Sequence, residues 1–378
     1  MIFFSWASFK NLIKAILFLI CFGGVIYFTI DIIQYKYNLM DIEEYEPKST
    51  LVVKENLIRK AKYPYVDVHN HQLLLDIPLR DLSKLVNEMD SLNMAYMINL
   101  SGFRGIYLEK SLKNIKDNFP NRFGIFVNLD FEEIDEPKFA ESNQTLIEEA
   151  VENGAIGLKI YKSLGLTDKD KNGNRIKIND KRLDPIWSIC GKLNIPVLIH
   201  SGEPSSFWNP KDKYNERWLE LRQIPGRYRD PKENPSFEEI LSEQHAIFKK
   251  HPNTMFINAH MGWMANDLDR LSAHLDSFPN VMTEMGAVLA EIGRQPKRAR
   301  RFFIDYQDRV LFGTDAVKIT ESRTYFRVLE TDDEYFDYYR KRHAHWKMYG
   351  LNLPDTVLQK VYFKNALKLF PNISQNLF

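Results

Sequence analysis

Eight short runs of apolar and β-branched residues recur along the chain, each bounded by turn residues. Amphipathic segments such as LRDLSKLVNEMDSLN and TLIEEAVENG separate these runs and have the periodicity of helices. Strands that alternate with helices predict a parallel sheet with right-handed crossovers, and uninterrupted apolar runs are typical of strands covered on both faces. Eight such units predict an α/β fold, a closed (β/α)8 barrel of the TIM type. The runs begin near Tyr65, Ala95, Phe123, Ala155, Pro196, Met255, Asn280 and Val310.

The apolar stretch Leu12–Ile33 differs from these runs because it is long enough to cross a membrane as a helix. Its central part, Ala15–Ile30, is uncharged, while Lys10 and Lys14 precede it and the acidic segment DIEEYE follows. Positive charge on the N-terminal side predicts that this end stays in the cytoplasm. A cleaved signal peptide is the alternative, but no small-x-small cleavage site follows the apolar core. The prediction is a short cytoplasmic N-terminus at 1–11, a transmembrane signal anchor at 12–33, a tether at 34–60 and an extracytoplasmic barrel domain at 61–378.

Positive and negative charges on the chain nearly cancel. The 51 Lys and Arg residues face 50 Asp and Glu residues, so no global field favours nucleic acid as a partner. A local basic run, Arg294–Arg301, is typical of a solvated helix face. These features predict a small-molecule substrate and, through the N-terminal helix, contact with a membrane, and they leave the oligomeric state open.

Polar side chains are concentrated at the C-terminal ends of the predicted strands. In the first run, YVDVHNH, residues i and i+2 of an extended strand share a face, so two imidazoles stand side by side at a spacing suited to one metal ion. The alternative is a pair of polar residues with other partners near a strand end. Active sites of such barrels lie at the C-terminal rim, which favours the metal interpretation. The residues at predicted strand ends are His69, His71, Lys159, His200, His260 and Asp315.

Four motifs in chain order give the sequence a family resemblance. They are DVHNH on the first strand, LIHSGEP on the fifth, AHMG on the sixth and FGTD on the eighth. With them the chain resembles the amidohydrolase superfamily, most closely the amidohydrolase-related (amidohydrolase 2) branch of metal-dependent hydrolases and decarboxylases. The resemblance covers roughly Tyr63 to Leu369.

The resemblance implies that His69, His71, His200 and Asp315 ligate a divalent metal. Such ligands suit Zn²⁺ best, with Mn²⁺, Fe²⁺ or Co²⁺ as competitors, and one ion is expected rather than two. The metal would lower the pKa of bound water towards ~7, and Asp315 would take the water's proton as the catalytic base. His260 would polarise the substrate carbonyl or stabilise a developing oxyanion.

Lys159 has two interpretations. It shares a face of its strand with Ala155 and Gly157, and this parity turns it into the barrel. Some binuclear relatives bridge two metals through a carbamylated lysine on this strand, so the resemblance allows a second-metal bridge. As a plain ammonium, Lys159 would instead bind a carboxylate of the substrate.

The predicted substrate pocket depends on loops, which carry specificity in barrels. The longest loop runs from Glu203 to about Phe237 and contains Trp208 and Arg217. These two residues, with Arg294 after the seventh strand, are candidates for recognising an acidic or aromatic substrate. A plain surface flap is the alternative for the loop.

The intact set of ligand residues predicts a membrane-anchored, metal-dependent hydrolase acting on an amide, ester or lactone. A metal-dependent non-oxidative decarboxylase would use the same ligands to bind a carboxylated substrate. The third hypothesis is a non-catalytic anchored binding protein on the same barrel, which would not need to keep the ligand set.

Overall fold

The computed structural model describes residues 6–37, 40–41, 44–72, 82–343 and 345–378 of the 378-residue chain. Parts of three predicted segments lie outside the described residues. They are residues 1–5 of the predicted cytoplasmic N-terminus, residues 38–39 and 42–43 of the predicted tether, and residues 79–81 at the start of the first predicted barrel helix. The chain divides into two compact units, Met1–Val52 and Val53–Phe378.

The first unit contains one long helix, α1 (Trp6–Tyr37). Its segment Lys10–Ile30 has 21 residues and is long and apolar enough to cross a membrane. The side chains of this segment are exposed, and a helix that is apolar on all sides is unfavourable in water. The apolar helix predicted over residues 12–33 is thus confirmed, and a signal sequence would satisfy the same test of length and composition.

The second unit is a parallel barrel whose strands follow one another in chain order. In the described part of this unit the sheet has eight strands, each paired with the next. They are β1 (Tyr65–Asn70), β2 (Met94–Asn99), β3 (Phe123–Asn128), β4 (Gly157–Ile160), β5 (Val197–Ile199), β6 (Phe256–Asn258), β7 (Val281–Glu284) and β8 (Val310–Leu311). The predicted TIM-type barrel is confirmed.

Hydrogen bonds between the first and last strands bring the barrel close to closure. The Val68 N–H donates to the Phe312 carbonyl at 3.0 Å, and the Asp315 N–H donates to the His69 carbonyl at 2.8 Å. A parallel bridge joins Asn70 to Ala316 just beyond them. The ends of β1 and β8 are therefore held side by side at the rim.

Helices cover the outside of the sheet and connect its strands. They are α2 (Leu82–Leu92), α3 (Gly105–Asn118), α4 (Phe139–Glu152), α5 (Asp184–Lys192), α6 (Trp218–Gln223), α7 (Phe237–Lys250), α8 (Leu268–Ser277), α9 (Leu289–Gly293), α10 (Pro296–Asp305), α11 (Ser322–Glu330), α12 (Asp355–Gln359) and α13 (Asn365–Leu369), with a π-helical segment at Lys360–Lys364.

Buried apolar side chains form an inner cluster that includes Val66 and Leu198, and a larger cluster that includes the buried faces of the helices. Lys159 pairs in register with Leu198, so it lies on the inner face as its parity predicts. Gly157 comes just before it on this face, and a Cβ there would lie 2.4 Å from the Phe126 ring. The missing side chain therefore makes room for Phe126 in the barrel.

The barrel unit begins earlier than the sequence predicts. Residues 53–60, assigned to the tether from sequence, belong to the second unit. The Asn56 N–H donates to Asp333 Oδ2 at 2.7 Å, and Arg327 lies 3.3 Å from Glu55. Polar composition suggested a tether, but Glu55 and Asn56 have long-range partners that the sequence does not reveal.

Candidate metal centre and active site

Three ligand-type atoms form a nearly equilateral triangle where β1 and β8 end. His69 Nε2 lies 3.2 Å from His71 Nε2, and each nitrogen lies 3.3 Å from Asp315 Oδ1. Zn²⁺ binds imidazole nitrogen and carboxylate oxygen at about 2.0–2.1 Å, so ligand atoms of a tetrahedral site lie about 3.3 Å apart. The triangle fits one divalent cation, and its donor set without thiolates also suits Mn²⁺, Fe²⁺ and Co²⁺.

Both imidazoles are held by hydrogen bonds on their other nitrogen. His69 Nδ1 lies 2.9 Å from Glu284 Oε1, and His71 Nδ1 lies 2.8 Å from Ser101 Oγ. An ionised carboxylate only accepts, so neutral His69 carries its proton on Nδ1 and turns the lone pair of Nε2 to the triangle. Burial lowers the pKa of His69, but Glu284 and Asp315 outweigh burial and leave this pKa raised. A proton and a cation therefore compete for Nε2, and metal binding weakens as pH falls.

Asp315 is the ionised and partly accessible member of the triangle. Burial raises the pKa of its carboxyl, but His69 and His71 outweigh burial and hold this pKa well below its usual value. Its side chain is 26% exposed, whereas that of His69 is fully buried. The residue has a left-handed backbone with φ of 53°. Asp315 is thus a carboxylate at neutral pH that a ligand can reach.

Glu284, at the end of β7, connects this triangle to the turn after β6. It is fully buried and accepts from His69 Nδ1, from the His260 backbone N–H at 2.6 Å and from the Gly286 N–H at 2.6 Å. Burial raises the pKa of this carboxyl, but His69, His260 and their hydrogen bonds bring it down to about 2. A Cβ at Gly313 would lie 2.4 Å from Glu284 Oε2, so glycine there leaves room for the carboxylate.

Asp67, within β1, connects the ends of β1 and β8 by hydrogen bonds. Its carboxylate accepts from the His69 N–H at 3.1 Å, from Thr314 Oγ1 at 2.6 Å and from Asn70 Nδ2 at 2.9 Å. Thr314 directly precedes Asp315 in the chain. Asp67 therefore holds the backbone of His69 directly and that of Asp315 through its neighbour Thr314.

His200 and His260 form a second pair beside the triangle. His260 Nδ1 lies 2.7 Å from the Gly286 carbonyl, and His260 Nε2 lies 3.2 Å from His200 Nδ1. A carbonyl only accepts, so neutral His260 donates from Nδ1 and accepts at Nε2 from His200. Burial lowers the pKa of His260 to about 4 and that of His200 well below its usual value, which keeps both rings neutral.

With its proton on Nδ1, neutral His200 has no hydrogen on Nε2, and this atom carries a free lone pair. The atom is buried and has no hydrogen-bond partner among the residues that the structure describes. The triangle of closest ligand atoms does not include His200. Its ring lies 4.2 Å from that of His260, which in turn lies 5.0 Å from that of His69, and an orphaned buried imidazole nitrogen in this position fits a metal ligand. The geometry is therefore compatible with the ligand set expected from the sequence.

The backbone turns sharply after β6 to present His260. His260, Met261 and Gly262 have left-handed φ values of 56°, 53° and 60°. Such conformations are costly for residues with a Cβ and occur where the surroundings enforce them. The His260 ring also stacks on Trp263 with the ring centroids 4.4 Å apart.

Lys159 lies on the inner face of the barrel as a buried cation. It is 1% exposed, and its Nζ atom has no hydrogen-bond partner within the described part of the chain. Burial lowers its pKa to about 8, although Asp315 and Glu284 oppose this shift. Its Nζ also lies 5.4 Å from the centroid of the Tyr161 ring. An unpaired buried ammonium is costly unless a ligand supplies the missing acceptor.

The three predicted substrate residues of the loops already have protein partners. Arg217 is 2% exposed and pairs with Glu220 at 3.0 Å and with Glu291. Its guanidinium thus pairs with two buried carboxylates, while its Nε atom has no hydrogen-bond partner among the described residues, and the role of Arg217 in substrate binding stays a prediction. The other two are Trp208, whose Nε1 donates to the Pro235 carbonyl at 2.8 Å, and Arg294, which pairs with Glu216 at 2.8 Å.

Glu284 and Asp67 contact the residues of this centre, and no role for either was predicted from the sequence. Glu284 carries one signal, its place at the predicted end of the seventh strand. Asp67 lies within the DVHNH motif but looks like one more polar residue of a strand. Their partners lie 215 and 247 residues away along the chain, a distance over which strand periodicity carries no information.

The family model described as amidohydrolase matches residues 117–371, a range that begins after β2 and leaves out His69 and His71. No curated protein matches the chain. The fold is similar to that of 2,6-dihydroxybenzoate decarboxylase complexed with 2,6-dihydroxybenzoate (TM-score 0.53, 16% identity, 82% of this chain and 99% of that chain). It is also similar to that of an amidohydrolase II (TM-score 0.52, 14% identity, 81% of this chain and 99% of that chain). A third similar structure is an uncharacterized TIM-barrel protein from Bordetella bronchiseptica (TM-score 0.50, 14% identity, 78% of this chain and 83% of that chain).

Proposed function

Because the chain belongs to the amidohydrolase family, we propose that it is a metal-dependent hydrolase that cleaves an amide, ester or lactone. The observation that supports this proposal most is the triangle of His69 Nε2, His71 Nε2 and Asp315 Oδ1, with separations of 3.2 and 3.3 Å. A purely structural role would not require three ligand atoms to converge at a rim.

The residues that would hold the ion are those of the triangle, together with His200 through its unpaired Nε2. When bound, a divalent ion supplies Lewis acidity and lowers the pKa of water in the site to about 7. We propose one ion per chain, with Zn²⁺ first and Mn²⁺, Fe²⁺ or Co²⁺ as competitors for the same donors.

Asp315 is the proposed proton acceptor. Its Oδ1 faces the two imidazoles, and its Oδ2 would take the proton of the attacking water and pass it to the leaving group. The lowered pKa of this carboxyl keeps it ionised at neutral pH. Partial exposure of the side chain lets a substrate approach.

His260 is proposed to act first through His200. Its Nδ1–H is engaged by Gly286, and its Nε2 accepts from His200 Nδ1. In this state it orients His200 and has no N–H left for a substrate carbonyl. Polarisation of the carbonyl, the role expected from the sequence, would require His260 Nε2 to gain a proton and turn from His200 to the substrate.

Lys159 is proposed to bind a carboxylate of the substrate. The buried ammonium lacks an acceptor among the described residues, and a substrate carboxylate would provide one with a charge-assisted hydrogen bond. A carbamate bridge to a second metal is the competing proposal for the same atom, since the neutral amine is the form that becomes carbamylated.

Lys159→Met is expected to raise KM for a carboxylated substrate by roughly 10- to 100-fold, because a hydrogen bond to a charged group is lost. In the wild type, kcat/KM should fall as pH rises through about 8, where Lys159 loses its proton, and this decline should be absent in the variant. Lys162→Met is the matched control, since Lys162 pairs with Glu203 at 2.6 Å. Two metals per chain in the wild type and one in Lys159→Met would instead establish the bridge.

Decarboxylation is the alternative reaction. A decarboxylase needs a carboxylated substrate, so the buried ammonium of Lys159 supports a decarboxylase as well as it supports a hydrolase with a carboxylated substrate. The deciding experiment is metal analysis of the purified full-length chain followed by a screen of lactones, amides, esters and aromatic acids. Substrate loss with stoichiometric carbon dioxide would replace the hydrolase with a decarboxylase. A chain that binds metal but converts no substrate class would favour the binding protein.

We further propose that α1 anchors the enzyme in a membrane with the barrel unit outside the cytoplasm. The support is the exposed apolar segment Lys10–Ile30 with lysines on its N-terminal side. The full-length chain is expected to stay in the membrane fraction after a high-salt wash, whereas a chain of residues 53–378 should be soluble. Recovery of the intact full-length chain in the soluble fraction would contradict the anchor.

A further inference from the structure

Glu284 contacts both the metal triangle and the His200–His260 pair. It receives a hydrogen bond from His69 Nδ1 at 2.9 Å and another from the His260 backbone N–H at 2.6 Å, both on Oε1. Its Oε2 receives the Gly286 N–H at 2.6 Å. All three partners donate an N–H, so both oxygens of Glu284 must accept. Only an ionised carboxylate accepts on both oxygens.

We propose that Glu284 is a positioning residue that sets metal affinity through His69 and presents His260 through its backbone. The inference rests on the proposed metal-dependent function and deepens it. The acceptor at Oε1 fixes the proton of His69 on Nδ1, and this directs the lone pair of Nε2 into the triangle. The same oxygen holds the His260 N–H, where the backbone has a left-handed φ of 56°.

The turn after β7 reinforces this arrangement. Gly286 donates its N–H to Glu284 Oε2 and offers its carbonyl to His260 Nδ1 at 2.7 Å. The carboxylate, the glycine and the two histidines thus form one connected set of hydrogen bonds. A change of charge or length at Glu284 alters the tautomer of His69 and the turn of His260 together.

Glu284→Gln tests this role because glutamine has nearly the same shape but one donor end. An NH₂ group in the place of Oε1 faces two N–H groups and one in the place of Oε2 faces one, so at least one of the three bonds is lost. The full-length variant is expected to bind Zn²⁺ or Mn²⁺ with a dissociation constant 10- to 100-fold above the wild-type value, measured by competition with a chromogenic chelator. Glu284→Asp, which withdraws the carboxylate by about 1.5 Å, should also weaken binding; it provides the measurement if the glutamine variant does not fold.

Glu243→Gln is the matched control. Glu243 is also buried, at 3% exposure, and pairs with Arg175 and the Ile178 N–H, away from the triangle. It should lower the melting temperature and leave the metal affinity within about threefold of wild type, since no predicted ligand depends on it. A merely structural role would lower the melting temperature of the Glu284 and Glu243 variants alike and leave their metal affinity unchanged. A positioning role lowers the metal affinity of the Glu284 variants only.

The outcomes separate this inference from the function on which it rests. A wild-type chain that binds neither ion would overturn the metal-dependent function and this inference with it. A wild-type chain that binds the ion, together with folded Glu284 variants of equal affinity, would overturn the positioning role alone. Weaker binding in the Glu284 variants but not in Glu243→Gln supports it.

Discussion

Asp315→Asn is expected to lower turnover per bound metal by roughly 10²–10⁴, the usual cost of losing a general acid–base group. Asparagine keeps the shape of the residue and one ligand oxygen, but its amide cannot take a proton at neutral pH. The wild-type carboxyl is ionised there because His69 and His71 lower its pKa against the effect of burial. Metal binding should weaken as well, since one negative charge leaves the triangle.

The measurement is kcat together with metal content on the same preparation, so that loss of the ion is not mistaken for loss of the base. Asp333→Asn is the control, because Asp333 is also a carboxylate with several hydrogen-bond partners but accepts from Asn56 and Arg327 outside the centre. The Asp333→Asn variant should have a lower free energy of unfolding and an unchanged turnover rate. An Asp315→Asn variant that holds its metal and turns over at near the wild-type rate would show that Asp315 is not the proton acceptor.

The architecture follows from the sequence because the strands are buried on both faces and are therefore mostly apolar, with polar residues concentrated towards their C-terminal ends. The predicted starts at Tyr65, Phe123 and Val310 are those of β1, β3 and β8, and the fourth strand begins at Gly157, two residues after the predicted Ala155. The resemblance to the amidohydrolase superfamily is confirmed by the family match over residues 117–371. Short motifs at strand ends were sufficient for this.

The details of the rim could not be predicted, because they depend on backbone turns and on partners distant in sequence. The segment AHMG gives no sign that His260 and Met261 have left-handed backbones, since only glycine is expected there. Arg217 looked like a substrate residue because sequence shows charge but not the buried partner Glu291. Both side chains are buried, at 2% and 6% exposure, and the sequence alone does not reveal this burial.

Glu284 is a residue whose role at the site could not be predicted from the sequence. A glutamate at the end of a strand is a common residue, and its importance arises because β7 pairs with β8 and the end of β8 lies beside β1, so that Glu284 reaches His69. Local periodicity specifies which face a residue occupies but not which side chain it meets. The ligand triangle was accessible from sequence only because His69 and His71 are close neighbours and the motif is distinctive.

Replacing both His69 and His71 by alanine is expected to abolish metal binding and reduce turnover to the background rate. Two of the three converging atoms are removed, and Asp315 with His200 cannot hold a divalent ion alone at micromolar concentration. The barrel should still fold, since Val66 and Val68 continue to fill the inner cluster. Metal per chain by plasma mass spectrometry and far-ultraviolet circular dichroism measure the two effects separately.

The matched control for this double variant is His251→Ala. His251 is also buried and has two ring contacts, Asp184 at 3.1 Å and Ser188 at 3.4 Å, but it lies outside the triangle. Its variant should keep stoichiometric metal, because a general loss of histidine packing does not disturb the ligand atoms. If the double variant kept its metal as the control does, the ion would have to bind elsewhere, and neither the ligand assignment nor the reaction proposed for Asp315 could stand.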